Sequence, residues 1–89
     1  MQNILAQRLR ECRKKLGYTQ IQAAIYADIT EMAYGNYERA MKMPKLDILI
    51  RIADLYKVSL DYLVGRTDIP EPYPQESPSH RPSGGDSPL

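Results

Sequence analysis

The sequence predicts an all-α domain of five short helices followed by a disordered C-terminal tail. Apolar residues recur at three- and four-residue spacing in residues 5–16 and again in 46–55, the period of a helix with one buried face. Residues that cap helices stand where new helices would open, at Thr19, Thr30 and Ser59. After Arg66 the composition changes abruptly: the remaining segment, TDIPEPYPQESPSHRPSGGDSPL, has six of the seven prolines and almost no large aliphatic residues. It cannot bury enough apolar surface to offset its ordering entropy. Residues 1–67 are therefore expected to form one domain and residues 68–89 a Pro-rich disordered tail, in which Ile69 and Tyr73 alone could dock locally.

Helix 1 is expected over residues 3–16, with Leu5, Leu9, Cys12 and Leu16 on one apolar face and Gly17 as terminator. Helix 2 is expected over 20–27. Thr19 caps it, and Gln22 three residues on completes a capping box. Asp28 sits in the short link that follows and tolerates the left-handed backbone of a tight turn. Helix 3 is expected over 31–39, capped by Thr30, with Glu31 in the first turn where the helix dipole favours a negative charge. Two helices joined by so short a turn form a helix-turn-helix, the unit that lays its second helix in the major groove of DNA. Helix 4 follows Pro44, with Leu46, Leu49, Ile52, Ala53 and Leu55 facing inward. Lys45 is a poor cap for it, so Asp47 supplies the negative charge. Ser59 caps a short helix 5, which Gly65 closes.

At 89 residues the chain allows one small domain. No apolar run approaches the roughly 20 residues of a membrane helix, and the amino terminus lacks the apolar segment of a signal peptide. The single Cys12 forms no internal disulfide, and one cysteine and one histidine are too few for a metal site. A cytoplasmic protein without metal or cofactor is expected. The lone His80 lies in the tail and reads as a solvated side chain, so nucleophilic triad chemistry has no base. No catalytic residue, small-molecule site or enzyme activity is expected. Residues 1–67 carry 11 Lys/Arg against 7 Asp/Glu, a net +4, while 68–89 carry one Arg against four acids, a net −3. A modestly basic domain with an acidic tail is compatible with nucleic-acid binding without requiring it.

The runs RLRECRKKLGYTQ, AYGNYE and LDILIRIADLYKVSLDYLVGRTD, with Ala24, Ile29-Thr30 and Pro44, resemble the lambda-repressor/Cro-like helix-turn-helix regulators, the xenobiotic-response-element family. The resemblance covers residues 4–67, and SLDYLVGRTD matches small bacterial and prophage members. It implies a five-helix lambda-repressor-like DNA-binding domain. It further implies a transcriptional regulator, most simply a repressor, that binds double-stranded DNA as a homodimer on a two-fold operator.

Under the same resemblance helix 3 reads bases, and the start of helix 2 and the loop after helix 3 hold phosphates. Tyr34 and Tyr37 match apolar positions facing the core, and Cys12 matches a leucine. The opposite face of helix 3 presents Glu31, Met32, Ala33, Gly35 and Asn36. Of these, Asn36 can pair with adenine or hold a phosphate, Met32 and Ala33 can touch a thymine methyl, and Glu31 can accept from cytosine. Phosphate partners are Thr19 and Gln20 at the start of helix 2, then Arg39, Lys42 and Lys45. Arg13 ion-pairs with Glu38 while reaching the DNA backbone. Arg8, Arg10, Lys14 and Lys15 read as a solvated face. The dimer surface is expected at helix 5 with the end of helix 4, through Tyr56, Leu60, Tyr62 and Val64, with Leu63 in the core.

The sequence departs from the family at several places, among them Ala23 and Ala27, which stand where larger buried residues are usual. No cation stands on the base-reading face. Gly35 weakens helix 3 by about 1 kcal/mol relative to Ala. Ala40 replaces a usual glycine, so the loop after helix 3 is expected to turn differently. Ile21 and Ile25 replace polar residues, with Met41 and Met43 nearby; either they are core or, with Met32, they form an exposed patch for a protein partner.

Overall fold

The computed structural model describes residues 3–72. Among them the chain forms α1 (Asn3–Leu16), α2 (Gln20–Ala27), α3 (Glu31–Glu38), α4 (Leu46–Tyr56) and α5 (Leu60–Leu63), with no strand. The expected tail from residue 73 on, with Tyr73 and His80, lies outside the described residues.

The caps act as their chemistry dictates. Thr19 accepts from the Gln22 N–H at 3.1 Å, and the Gln22 side chain accepts from the Thr19 N–H at 2.9 Å, which completes the box. Thr30 accepts from the Ala33 N–H, and Ser59 from the Tyr62 N–H. The Lys45 side chain caps nothing; Asp47 stands in the first turn of α4.

The far ends obey one rule. After each helix a residue enters the left-handed region: Gly17, Asp28, Ala40, Lys57 and Gly65. In every case its N–H and the next one fold back onto helix carbonyls, as in Asp28 N–H to Ile25 O (3.1 Å) and Ile29 N–H to Ala24 O (3.0 Å). This pairing satisfies carbonyls that a helix end otherwise leaves open. Ala40 keeps the left-handed turn, at φ 61°, despite its Cβ.

The core lies where α3 and α4 meet α1 and α2. Leu5, Leu9 and Cys12 enter it from α1, and Ala23, Ala24 and Ala27 from α2. Tyr34 and Tyr37 come from α3, Leu49, Ile52, Ala53 and Tyr56 from α4, and Leu63 from α5. The Tyr34 and Tyr56 hydroxyls hydrogen-bond each other at 2.5 Å inside it. Burial raises both phenol pKa values, that of Tyr56 to about 12. Burial likewise raises the Cys12 thiol.

Several expected placements change. Leu16 and Leu46, expected inward, are exposed, because each lies at a helix terminus beyond the packed zone, whereas Leu55 is half-buried and packs against the core as expected. Tyr56, expected at the dimer surface, is instead buried within the domain: it is 3% exposed and stacks on Tyr18 with ring centroids 6.3 Å apart. Ile69 does not dock and is exposed. Arg8, expected on a solvated face, is drawn into the fold, while Arg10 stays exposed. Arg8 donates to the carbonyls of Tyr62 (2.6 Å) and Thr67 (2.7 Å), pairs with Asp68 (2.8 Å) and lies 4.1 Å from the Tyr62 ring centroid. Arg10 donates to the Glu38 carbonyl. Ordered contacts run past residue 67, since the Ser59 N–H also donates to the Pro70 carbonyl at 3.0 Å.

Candidate nucleic-acid interface

Helix α3 is held from behind and open in front. Behind it, Glu38 is the common anchor of three helices. Its carboxylate accepts from Arg13 Nε at 2.7 Å and Nη2 at 3.1 Å on α1, and from Gln20 Nε2 at 3.0 Å on α2. Burial alone would raise the Glu38 pKa, but hydrogen bonds from Arg13, Gln20 and Tyr34 outweigh it and hold the group below its ordinary value. The hydrogen bond to Glu38 raises the Arg13 pKa in turn, against its own desolvation. Arg13 also donates to the Tyr18 carbonyl at 3.1 Å. The ion pair read from the sequence is present, and Gln20, expected at a phosphate, joins it.

In front, Glu31 and Met32 are exposed, and Ala33 and Asn36 are half-buried. Gly35 is covered, although it was expected on the open face. The Arg39 side chain runs back along the helix, so that a Cβ on Gly35 would stand 3.0 Å from Nη1. Arg39 Nη2 donates to Asn36 Oδ1 at 2.7 Å. Arg39 thus lies against the front of α3 instead of pointing into the loop. Spacings of three and four residues from Asn36 and Gly35 to Arg39 were the signal available in the sequence. Lys42 and Lys45 are exposed in the loop between α3 and α4, and Thr19 is exposed at the head of α2.

The apolar residues flanking this face are also open. Ile21, Ile25, Met32, Met41 and Met43 are all exposed, Ile25 at 72% and Met32 at 73%. Of the two alternatives for the isoleucines, the structure selects the surface. The expected dimer residues differ among themselves: Leu60 and Tyr62 are half-buried against the core, and Val64 is exposed. A groove of about 400 Å³, lined by Cys12, Leu16, Tyr56, Val58 and Tyr62 among others, involves no residue of α2 or α3. Among the described residues no group of potential ligands could hold a metal ion, and no helix is long and apolar enough to cross a membrane.

Residues 9–63 match the helix-turn-helix family. The chain belongs to that family. It is 43% identical over 65 residues to the HTH-type transcriptional regulator ImmR of Bacillus subtilis (strain 168), covering 73% of this chain and 51% of ImmR. It is 47% identical over 66 residues to the uncharacterized HTH-type transcriptional regulator YobD of the same organism, covering 74% of this chain and 59% of YobD. The chain therefore spans little more than half the length of these relatives. The fold is similar to that of the P22 c2 repressor crystallised with a synthetic operator, with a TM-score of 0.66 and 27% identity, covering 67% of this chain and 91% of that one. The helix-turn-helix of this chain is α2 and α3, joined through Asp28.

Proposed function

We propose that the chain is a sequence-specific double-stranded DNA-binding transcriptional regulator, most simply a repressor, acting as a homodimer on a two-fold operator. The observation that carries this reading is the two-sided character of α3. Its Tyr34, Tyr37 and Glu38 side is locked into the domain, while Glu31, Met32 and Asn36 face outward. That is the arrangement needed to enter a major groove. The likeness to a repressor crystallised with operator DNA supports it.

In this reading Glu31, Met32, Ala33 and Asn36 meet base edges. Lys42 and Lys45 hold phosphates beyond α3. Thr19 and Gln20 do so at the N-terminus of α2, where first-turn N–H groups also point at an anion. Gln20 Nε2 has a second N–H and the Arg13 guanidinium further N–H groups beyond those engaged, so both can touch phosphate while holding Glu38. Leu60, Tyr62 and Val64 supply the dimer contact. Titrating salt against affinity for random and selected duplexes tests the proposal. Binding should weaken steeply with salt, and a preferred sequence should emerge from selection. No binding to any duplex below about 50 mM salt, where phosphate attraction is strongest, refutes it.

One observation favours a second reading. Ile21, Ile25, Met32, Met41 and Met43 make an apolar surface suited to a protein partner, as in an antitoxin-like regulator or a resurfaced scaffold. Replacing Ile25 with Lys would leave duplex binding intact or improve it under the first reading. Under the second it would abolish partner capture.

A further inference from the structure

We propose that Arg39, held by Asn36 across Gly35, is the base-reading cation of α3 and selects guanine. The inference rests on the DNA-binding reading above. No Lys or Arg lies within α3 itself, from Glu31 to Glu38. Arg39 follows the helix, and its side chain returns along the outward face. Nη2 donates to Asn36 Oδ1 at 2.7 Å, and the guanidinium covers Gly35, where a side chain would bring Cβ to 3.0 Å from Nη1 and 3.6 Å from Cζ. The glycine that weakens the helix thus makes room for the arginine.

Each of the other described arginines has a partner away from the outward face of α3. Arg8, Arg13, Arg51 and Arg66 pair with carboxylates, and Arg10 donates to the Glu38 carbonyl. Among the described residues Arg39 is held by a neutral amide alone, with no ion pair to offset its charge, and its plane is oriented. Because Asn36 Oδ1 faces the arginine, its Nδ2 faces away, and the composite surface offers donors. Adenine presents a donor beside its acceptor in the major groove, whereas guanine presents two acceptors, O6 and N7. Guanine is the base that this surface fits.

The test is selection from a randomised duplex library with the full chain at about 50 mM salt, followed by affinities for the selected site and its single-base variants. A guanine is expected at one position of each half-site. Arg39→Ala should cut discrimination for it by about tenfold or more, as loss of a bidentate contact does, while Lys42→Ala weakens all sequences alike. Gly35→Ala should hold or raise the melting temperature, because only the flexible end of Arg39 must move, yet lower the guanine preference; a purely structural role would move the two together. An equal loss on every sequence from Arg39→Ala would make it a phosphate clamp and overturn the proposal, as would selection of no guanine. Failure of the unaltered chain to bind any duplex would remove the DNA reading itself, and the proposal with it.

Discussion

Glu38 is the residue on which α3 depends most. It is 3% exposed and paired with an Arg13 side chain that is only 14% exposed. Replacing Glu38 with Ala strands the arginine, and loss of one partner of a buried pair costs about 3–5 kcal/mol; the loss should appear in urea denaturation. The pH dependence has a definite sign. The folded-state pKa lies below the ordinary 4.5, so the contribution of Glu38 is complete above that value and is lost as pH falls through the folded pKa. Glu38→Gln should flatten stability in that acid window. At the other extreme, Tyr34 and Tyr56 have pKa values raised above the ordinary 10.0. The unfolded chain then ionises first, and stability falls as pH rises past 10.0 toward about 12. The Arg13–Glu38 pair could be read from the sequence through the family resemblance. The Tyr34–Tyr56 hydroxyl pair could not, because its partners are 22 residues apart and nothing local marks them.

The helices are bounded by signals that a sequence displays openly, and this is why their extents were legible. Thr19, Thr30 and Ser59 act on N–H groups three residues away, so neighbouring chemistry decides the outcome. Replacing Thr30 with Ala should cost about 1 kcal/mol. The closing turns were less legible. Two are glycines, but Ala40 and Lys57 adopt φ 61° and 59° although each has a Cβ that disfavours it. Ala40→Gly and Lys57→Gly should each stabilise by about 0.5–1 kcal/mol, relief of strain exceeding the added freedom of the unfolded chain. Thermal melting of the two variants checks this, and Ala40→Gly should leave the direction of the loop unchanged. Leu16 and Leu46 show the limit of periodicity: the pattern identifies a face, but not where along the helix its neighbours end.

At the scale of the molecule, contacts distant in the sequence were the least legible. Arg8 looked like one charge among several on α1, yet it fastens α5 and the segment after it across more than fifty residues. Long-range ties of this kind leave no local mark. The exposed cap that follows α5 leads to a test of the proposed assembly. Val64→Asp places a charge on this exposed position and should shift the proposed dimer toward monomer in sedimentation without loss of helicity. On DNA, neutralisation of on the order of four phosphates per protomer should give a log–log salt slope near −0.9 for each. The anchoring of α1, α2 and α3 on one carboxylate has a last consequence. In the proposed DNA-binding role, a helix clamped to two neighbours through one carboxylate has little freedom to adjust to an ill-fitting site, so the duplex must supply the compliance. Base steps that never touch the protein should then influence affinity through how readily they bend or twist.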